Sequence, residues 1–145
     1  MTSAGTSTEC INAVMDALRT LTIYFEKPKQ VSLNRADLGL GADYWIFFST
    51  DNFTSSRLDN RQRLYQRNLP CDLCVRYKTD AESYPKLNKV IDDLDVFLRT
   101  PRVIKNLNIN AVRMLANAPL RQDTPDNPQF LVKPLVINIE QIVNT

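Results

Sequence analysis

The apolar residues of this chain change their spacing several times, and each change marks an element. From Ile11 the spacing is helical: Ile11, Val14, Met15 and Leu18 recur at three and four residues, with Asn12, Asp16 and Arg19 turned away. Thr6 and Glu9 stand at capping-box spacing ahead of them. The pattern predicts an amphipathic helix of about four turns, its stripe in a core, after a frayed start over residues 1–5. A β-prone run, Thr22 to Phe25, follows. Lys27-Pro28-Lys29 breaks it, and Gln30 to Leu33 offers a second short strand. Gly39 and Gly41 make Asn34 to Asp43 a loop. Tyr44 to Phe48 is apolar at every position, which predicts a central strand covered on both faces.

Period two then takes over. Leu69, Cys71, Leu73, Val75 and Tyr77 share one face of a strand, and Asp72, Cys74 and Arg76 share the other. Pro70 lacks an N–H, so this end of the strand is expected to be an edge or a bulge. Thr79 to Ser83 reads as a turn, with Ser83 as N-cap and Pro85 in the first helical turn. Leu87, Val90, Ile91, Leu94, Phe97 and Leu98 form the stripe of a second helix, and Asp92, Asp93 and Asp95 cluster on or near its solvated side. Thr100-Pro101 ends it, and Val103 to Ile109 connects onward. Asn110 to Arg121 and Phe130 to Val143 alternate as strands around a polar turn, Gln122 to Gln129. Leu135, Ile137, Ile139 and Gln141 share a face of the last strand, and Pro134 again marks an edge or bulge. These two strands are expected to form a long hairpin. The sum is an α+β fold: a mostly antiparallel sheet covered on one face by two helices.

One segment exceeds what this scheme needs. Asp51 to Asn68 is eighteen residues long, whereas a hairpin loop takes about two to five. It holds Arg57, Arg61, Arg63 and Arg67, the apolar points Phe53, Leu58, Leu64 and Tyr65, and neither lysine nor glycine. We expect a long protruding β-hairpin arm over 51–68. In an extended chain its arginines share odd parity, a grouping firm within 61–67 because a reversal at the tip flips parity between the two legs.

Composition narrows the chemistry. The 145 residues fit a single domain spanning 1–145, and 43% hydrophobic content is enough for a core. Eighteen basic against 16 acidic residues leave a net charge of +2, too balanced for bulk nucleic-acid binding. The chain has no histidine, so Ser-His-Asp and Cys-His arrangements and most metal-hydrolase sites are out of reach. Three glycines cannot build a phosphate loop. Cys71-Asp72-Leu73-Cys74 matches C-x-x-C, but on a strand, where alternation sends the two thiols to opposite faces. A redox pair instead has its first cysteine at a helix N-terminus. We therefore expect neither enzyme activity nor cofactor nor metal. The opening residues have no basic or apolar signal region, and no apolar run approaches the roughly 20 residues of a membrane span. This predicts a protein made in a cytoplasm and not engaged with membranes.

A binding or structural role then falls to the arm. Its arginines can pair with Asp51 and Asp59 as a solvated hairpin, where exposed ion pairs contribute little. They can contact single-stranded nucleic acid together with the aromatics. Or they can form a protein interface, where arginine and tyrosine are enriched. The interface reading names Phe53, Arg57, Arg61, Arg63, Tyr65 and Arg67 as contact residues.

The order of elements resembles the tail terminator proteins of long-tailed bacteriophages, small α+β proteins with an N-terminal helix, an extended hairpin, a central sheet, one long helix and a C-terminal strand pair. The matching stretches are Ile11 to Leu18, Tyr44 to Tyr77, Leu87 to Leu98 and Asn110 to Val143, nearly the whole chain. The match is one of order, without a signature peptide, and Asn34 to Asp43 maps least well. The resemblance implies a homo-oligomeric ring, a hexamer, in the tail–neck region of a virion, assembled in the host cytoplasm. Such a ring caps the tail tube protein, ends polymerisation, meets a neck or head-completion protein, and lets genomic DNA through its lumen without sequence-specific binding. Two alternatives stay open: a neck or head-completion protein that binds the portal or adaptor, and a single-stranded nucleic-acid-binding module.

Overall fold

The computed structural model describes residues 7–33, 42–48, 54–57, 62–99, 109–116, 121–122 and 130–144. In chain order they form α1 (Ser7–Arg19), β1 (Val31–Ser32), β2 (Tyr44–Phe48), β3 (Thr54–Arg57), β4 (Gln62–Arg76), α2 (Asp80–Arg99), β5 (Ile109–Ala116), β6 (Arg121–Gln122) and β7 (Phe130–Asn144). The fold is the expected α+β arrangement. The strands join in one sheet of order β1-β2-β4-β7-β5, with β3 on β4 and β6 on β7. Only β1 and β2 run parallel; the other described pairings are antiparallel.

The spine of the sheet is a ribbon of two fifteen-residue strands, β4 and β7. They pair without a break, from Gln62 opposite Asn144 to Arg76 opposite Phe130. This changes the picture of the arm. Its outgoing leg, β3, does pair with its return leg, Thr54 with Asn68 through Arg57 with Tyr65. The return leg, however, is the first half of β4 and is held by β7 on its other side. The structure therefore does not set residues 51–68 apart as a two-stranded arm.

Pro70 and Pro134 were expected at edges or bulges, yet both stand in the two central strands. The reason lies in their neighbours. On the outer side of β4, β3 stops at Asn68 and β2 begins at Cys71. On the outer side of β7, β6 stops at Val132 and β5 ends at Leu135. Each proline sits in the gap between two flanking strands, where a residue without an N–H is tolerated inside a sheet.

Strand alternation sorts the side chains into two layers. Leu69, Cys71, Leu73 and Val75 of β4 and Leu131, Leu135, Ile137 and Ile139 of β7 join Ile11, Val14 and Leu18 of α1 and Leu87, Val90, Leu94 and Leu98 of α2 in the main core. Both helices thus cover one face. On the opposite face Ala42, Trp45, Phe47, Cys74, Phe130 and Val132 form a smaller cluster, with Trp45 and Phe47 stacked at 5.8 Å. The apolar run in β2 is accordingly buried on both sides, as its composition requires. Cys71 and Cys74 lie in different layers, and all three cysteines are buried and outside any disulfide.

Local chemistry moves two boundaries. The β-prone run Thr22 to Phe25 is a turn, because the Leu21 carbonyl accepts the N–H groups of both Tyr24 (3.1 Å) and Phe25 (2.9 Å). The second helix begins before Ser83: Thr79 Oγ1 accepts the Glu82 N–H at 3.3 Å as an N-cap. Ser83 Oγ instead accepts the Lys78 N–H at 2.9 Å, and Pro85 stands inside the helix. The expected loop Asn34 to Asp43 and the turn Gln122 to Gln129 lie largely outside the described residues, as do residues 1–5, the connector from Val103 and the helix end at Thr100-Pro101. No described helix is long and apolar enough to cross a membrane.

Candidate functional site

The features that can meet a partner gather along the β4–β7 ribbon. Position parity along β4 is unbroken from Gln62 to Arg76. Position 67 therefore continues the row of Leu69, Cys71 and Leu73, which faces the helices. Arg67 follows this rule. It is only 8% exposed, and its Nε donates to Gln141 Oε1 at 2.9 Å. Gln141, fully buried, donates in turn from Nε2 to Cys10 Sγ of α1 at 3.7 Å. Burial pushes the Cys10 thiol pKa up, although the Arg67 charge and the Gln141 hydrogen bond pull it down. Arg67 is thus part of the joint between α1 and the ribbon, where a charge-assisted hydrogen bond offsets the cost of burial.

The other expected contact residues fall differently. Arg57, Arg63 and Tyr65 are placed as strand positions, with Arg57 opposite Tyr65 and Arg63 opposite Val143. Phe53 and Arg61 lie outside the described residues. Register therefore brings positions 57 and 65 together on two adjacent strands.

The face of the ribbon away from the helices is half open. Gln66, Asn68, Pro70 and Asp72 of β4, and Pro134, Val136, Asn138 and Glu140 of β7, are all partly exposed, whereas nearly all their odd-numbered neighbours are buried. Asn138 Nδ2 donates to Asn68 Oδ1 across the two strands at 2.8 Å. On β5 the same face carries Arg113, exposed, and Leu115, 49% exposed. Alternation alone could have found this face, since its positions from Gln66 to Asp72 and from Pro134 to Glu140 are polar or proline apart from Val136.

A second cluster secures the entry to β2. Arg76 Nε donates to Asp43 Oδ1 at 3.1 Å and its Nη2 to the Ala42 carbonyl at 3.1 Å, while its guanidinium lies 5.3 Å from the Phe130 ring centroid. Gln30 Nε2 donates to the carbonyls of Tyr24 and Tyr44 at 3.0 and 2.8 Å. The Tyr24 hydroxyl donates to Asp93 of α2, so Asp93 ties the helix to the turn, and Asp95 pairs with Arg99 at 2.9 Å. Burial, followed by the Asp93 hydrogen bond and charge, raises the Tyr24 pKa to about 12. A shallow hollow of about 110 Å³ lies beside these groups, bordered by Glu26, Lys27, Gln30 and Asp43. It holds a few waters' worth of space, and its buried amide already has its partners. Among the described residues no three metal-ligating side chains converge.

Comparison with known proteins supplies no family: no protein-family model matches the chain, and no curated protein matches it.

Proposed function

We propose that this chain is a structural protein of a long-tailed bacteriophage virion, which assembles into a ring, caps the tail tube, ends tube polymerisation and connects the tail to the neck of the head. The observation that carries this reading is the ribbon with a different strand on each flank, β3 on β4 and β5 on β7. A ring is built from a head-to-tail contact between two unlike surfaces of one subunit, and the sheet offers two such surfaces at its opposite sides. The order of elements that resembles tail terminators adds to this, as does a sequence without histidine. In this role the chain works mechanically: it covers the terminal tube subunits and leaves no edge for the next one.

Light scattering and negative-stain imaging of the purified chain, alone and with tail tube protein, test the reading. Rings that halt tube growth in a polymerisation assay are expected. A chain that stays monomeric at every concentration, with tube protein present, sinks it. Rings that bind a portal or adaptor and ignore the tube would move the protein to the neck.

A further inference from the structure

We infer that neighbouring copies of this chain join edge to edge, the outer edge of β5 in one copy pairing antiparallel with the outer edge of β3 in the next. The inference rests on the ring reading and names the contact that builds it.

Strand direction is the first reason. The order β3-β4-β7-β5 alternates at every step, because each of its three pairings is antiparallel. β3 and β5 therefore run in opposite directions at the two sides of one sheet. A second copy brought alongside by rotation about a ring axis keeps its strand directions. Its β3 then runs opposite to the first copy's β5, and the junction repeats the antiparallel geometry found within the subunit. A two-fold contact of β5 with another β5 is also antiparallel, but it stops at a dimer and leaves both β3 edges unused.

The second reason is the character of β5. It reads Ile-Asn-Ala-Val-Arg-Met-Leu-Ala, without proline or lysine and with Arg113 as its one charge. Sheets protect free edges with lysine, proline, bulges or short strands. β5 has one bulge, between Ile109 and Ala111 at its start, and from Ala111 onward its edge is regular. Among the described residues no strand pairs with the outer side of β5 or of β3. With four residues, β3 limits the junction to a short ladder. Two copies alone gain little from it, and closure, which repeats the junction all round, is what stabilises the product.

Engineered thiols test this directly, since Cys10, Cys71 and Cys74 are buried and do not compete. Ser56 pairs with Gln66, and Ala111, Arg113 and Leu115 pair with Glu140, Asn138 and Val136, so all four positions lie on the open face. Ser56→Cys combined in turn with Ala111→Cys, Arg113→Cys or Leu115→Cys, then mildly oxidised, should give a ladder of linked subunits for at least one pair. Each single variant should stay unlinked. Linking by Arg113→Cys alone, or by Ser56→Cys alone, would show a two-fold contact and overturn the inference. So would rings, seen by light scattering, in which no pair links. A chain that forms no rings at all removes the ring reading and this contact with it. Hydrogen exchange on the unmodified protein gives a second readout: amides in 54–57 and 109–116 should gain at least about tenfold protection between dilute monomer and ring. No gain there in assembled rings refutes the junction.

Discussion

Pro70 and Pro134 occupy matching gaps on opposite flanks of the β4–β7 ribbon. Pro70 falls between the registers of β3 and β2, and Pro134 between those of β6 and β5. Each flank of the ribbon is thus covered by two strands with a short gap between them, and a proline marks each gap.

This gives the prolines a measurable tolerance. Pro70→Ala should cost about 0.4–1 kcal/mol, mainly through added freedom of the unfolded chain. Val136→Pro, flanked by Pro70 on one side and Leu115 on the other, sits where β5 continues the ladder. It should cost more than about 2 kcal/mol. Urea midpoints of the two variants check this, and equal losses would remove the special status of the gaps.

Arg67 and Gln141 form a joint, so their variants should act on stability before assembly. Gln141→Leu takes the acceptor from the Arg67 Nε and should destabilise the chain by about 1–3 kcal/mol. Arg67→Glu should do at least as much. Thermal unfolding of the monomer reads both, and unchanged melting would mean the hydrogen bond carries no weight.

The open face of the sheet should behave in the opposite way. Charge reversal at Arg113, exposed on β5, should leave monomer melting within a few degrees and weaken ring formation. If this variant forms rings and caps tubes as readily as the unaltered chain, Arg113 is solvated and the contact lies elsewhere.

Tyr24 predicts a loss of stability at high pH. Its folded pKa, about 12, lies above the ordinary value of 10.0, so the folded chain holds the proton more tightly than the unfolded one. The contribution is complete below pH 10 and falls away as pH rises from there towards 12. Burial raises Tyr44 as well, and the hydrogen bond to Asp80 raises Tyr77. Tyr24→Phe should therefore shrink this fall without abolishing it. It should also cost about 1–2 kcal/mol at neutral pH, from the lost bond to Asp93. Denaturant titrations at pH 8 and pH 11 measure both effects.

Much of the fold could be read along the chain because its signals are local. The stripes of α1 and α2 and the alternation of β4 and β7 depend only on neighbouring residues. The faces of Cys71 and Cys74 followed from parity alone. What was missed depends on partners distant in sequence. Nothing near Pro70 says that its strand is central, because the break belongs to β2 and β3. Nothing near Arg67 says that Gln141 waits beneath α1. Even so, the parity linking Arg67 to Leu69 was present in the sequence. Treating the arm and the strand as separate pieces concealed it. Thr22 to Phe25 shows the reverse case, in which β propensity yields to a carbonyl that captures two N–H groups.

The unbroken pairing of β4 with β7 also fixes an order of events. β4 is made early, yet its partner over all fifteen positions is a strand that follows α2 and β5. Until β7 emerges, β4 has only the five residues of β2 and the four of β3 to hold it. The centre of this sheet is therefore the last part to close, and folding waits on contacts between strands far apart in the chain. A nascent chain halted before β7 carries a long exposed strand, open to aggregation.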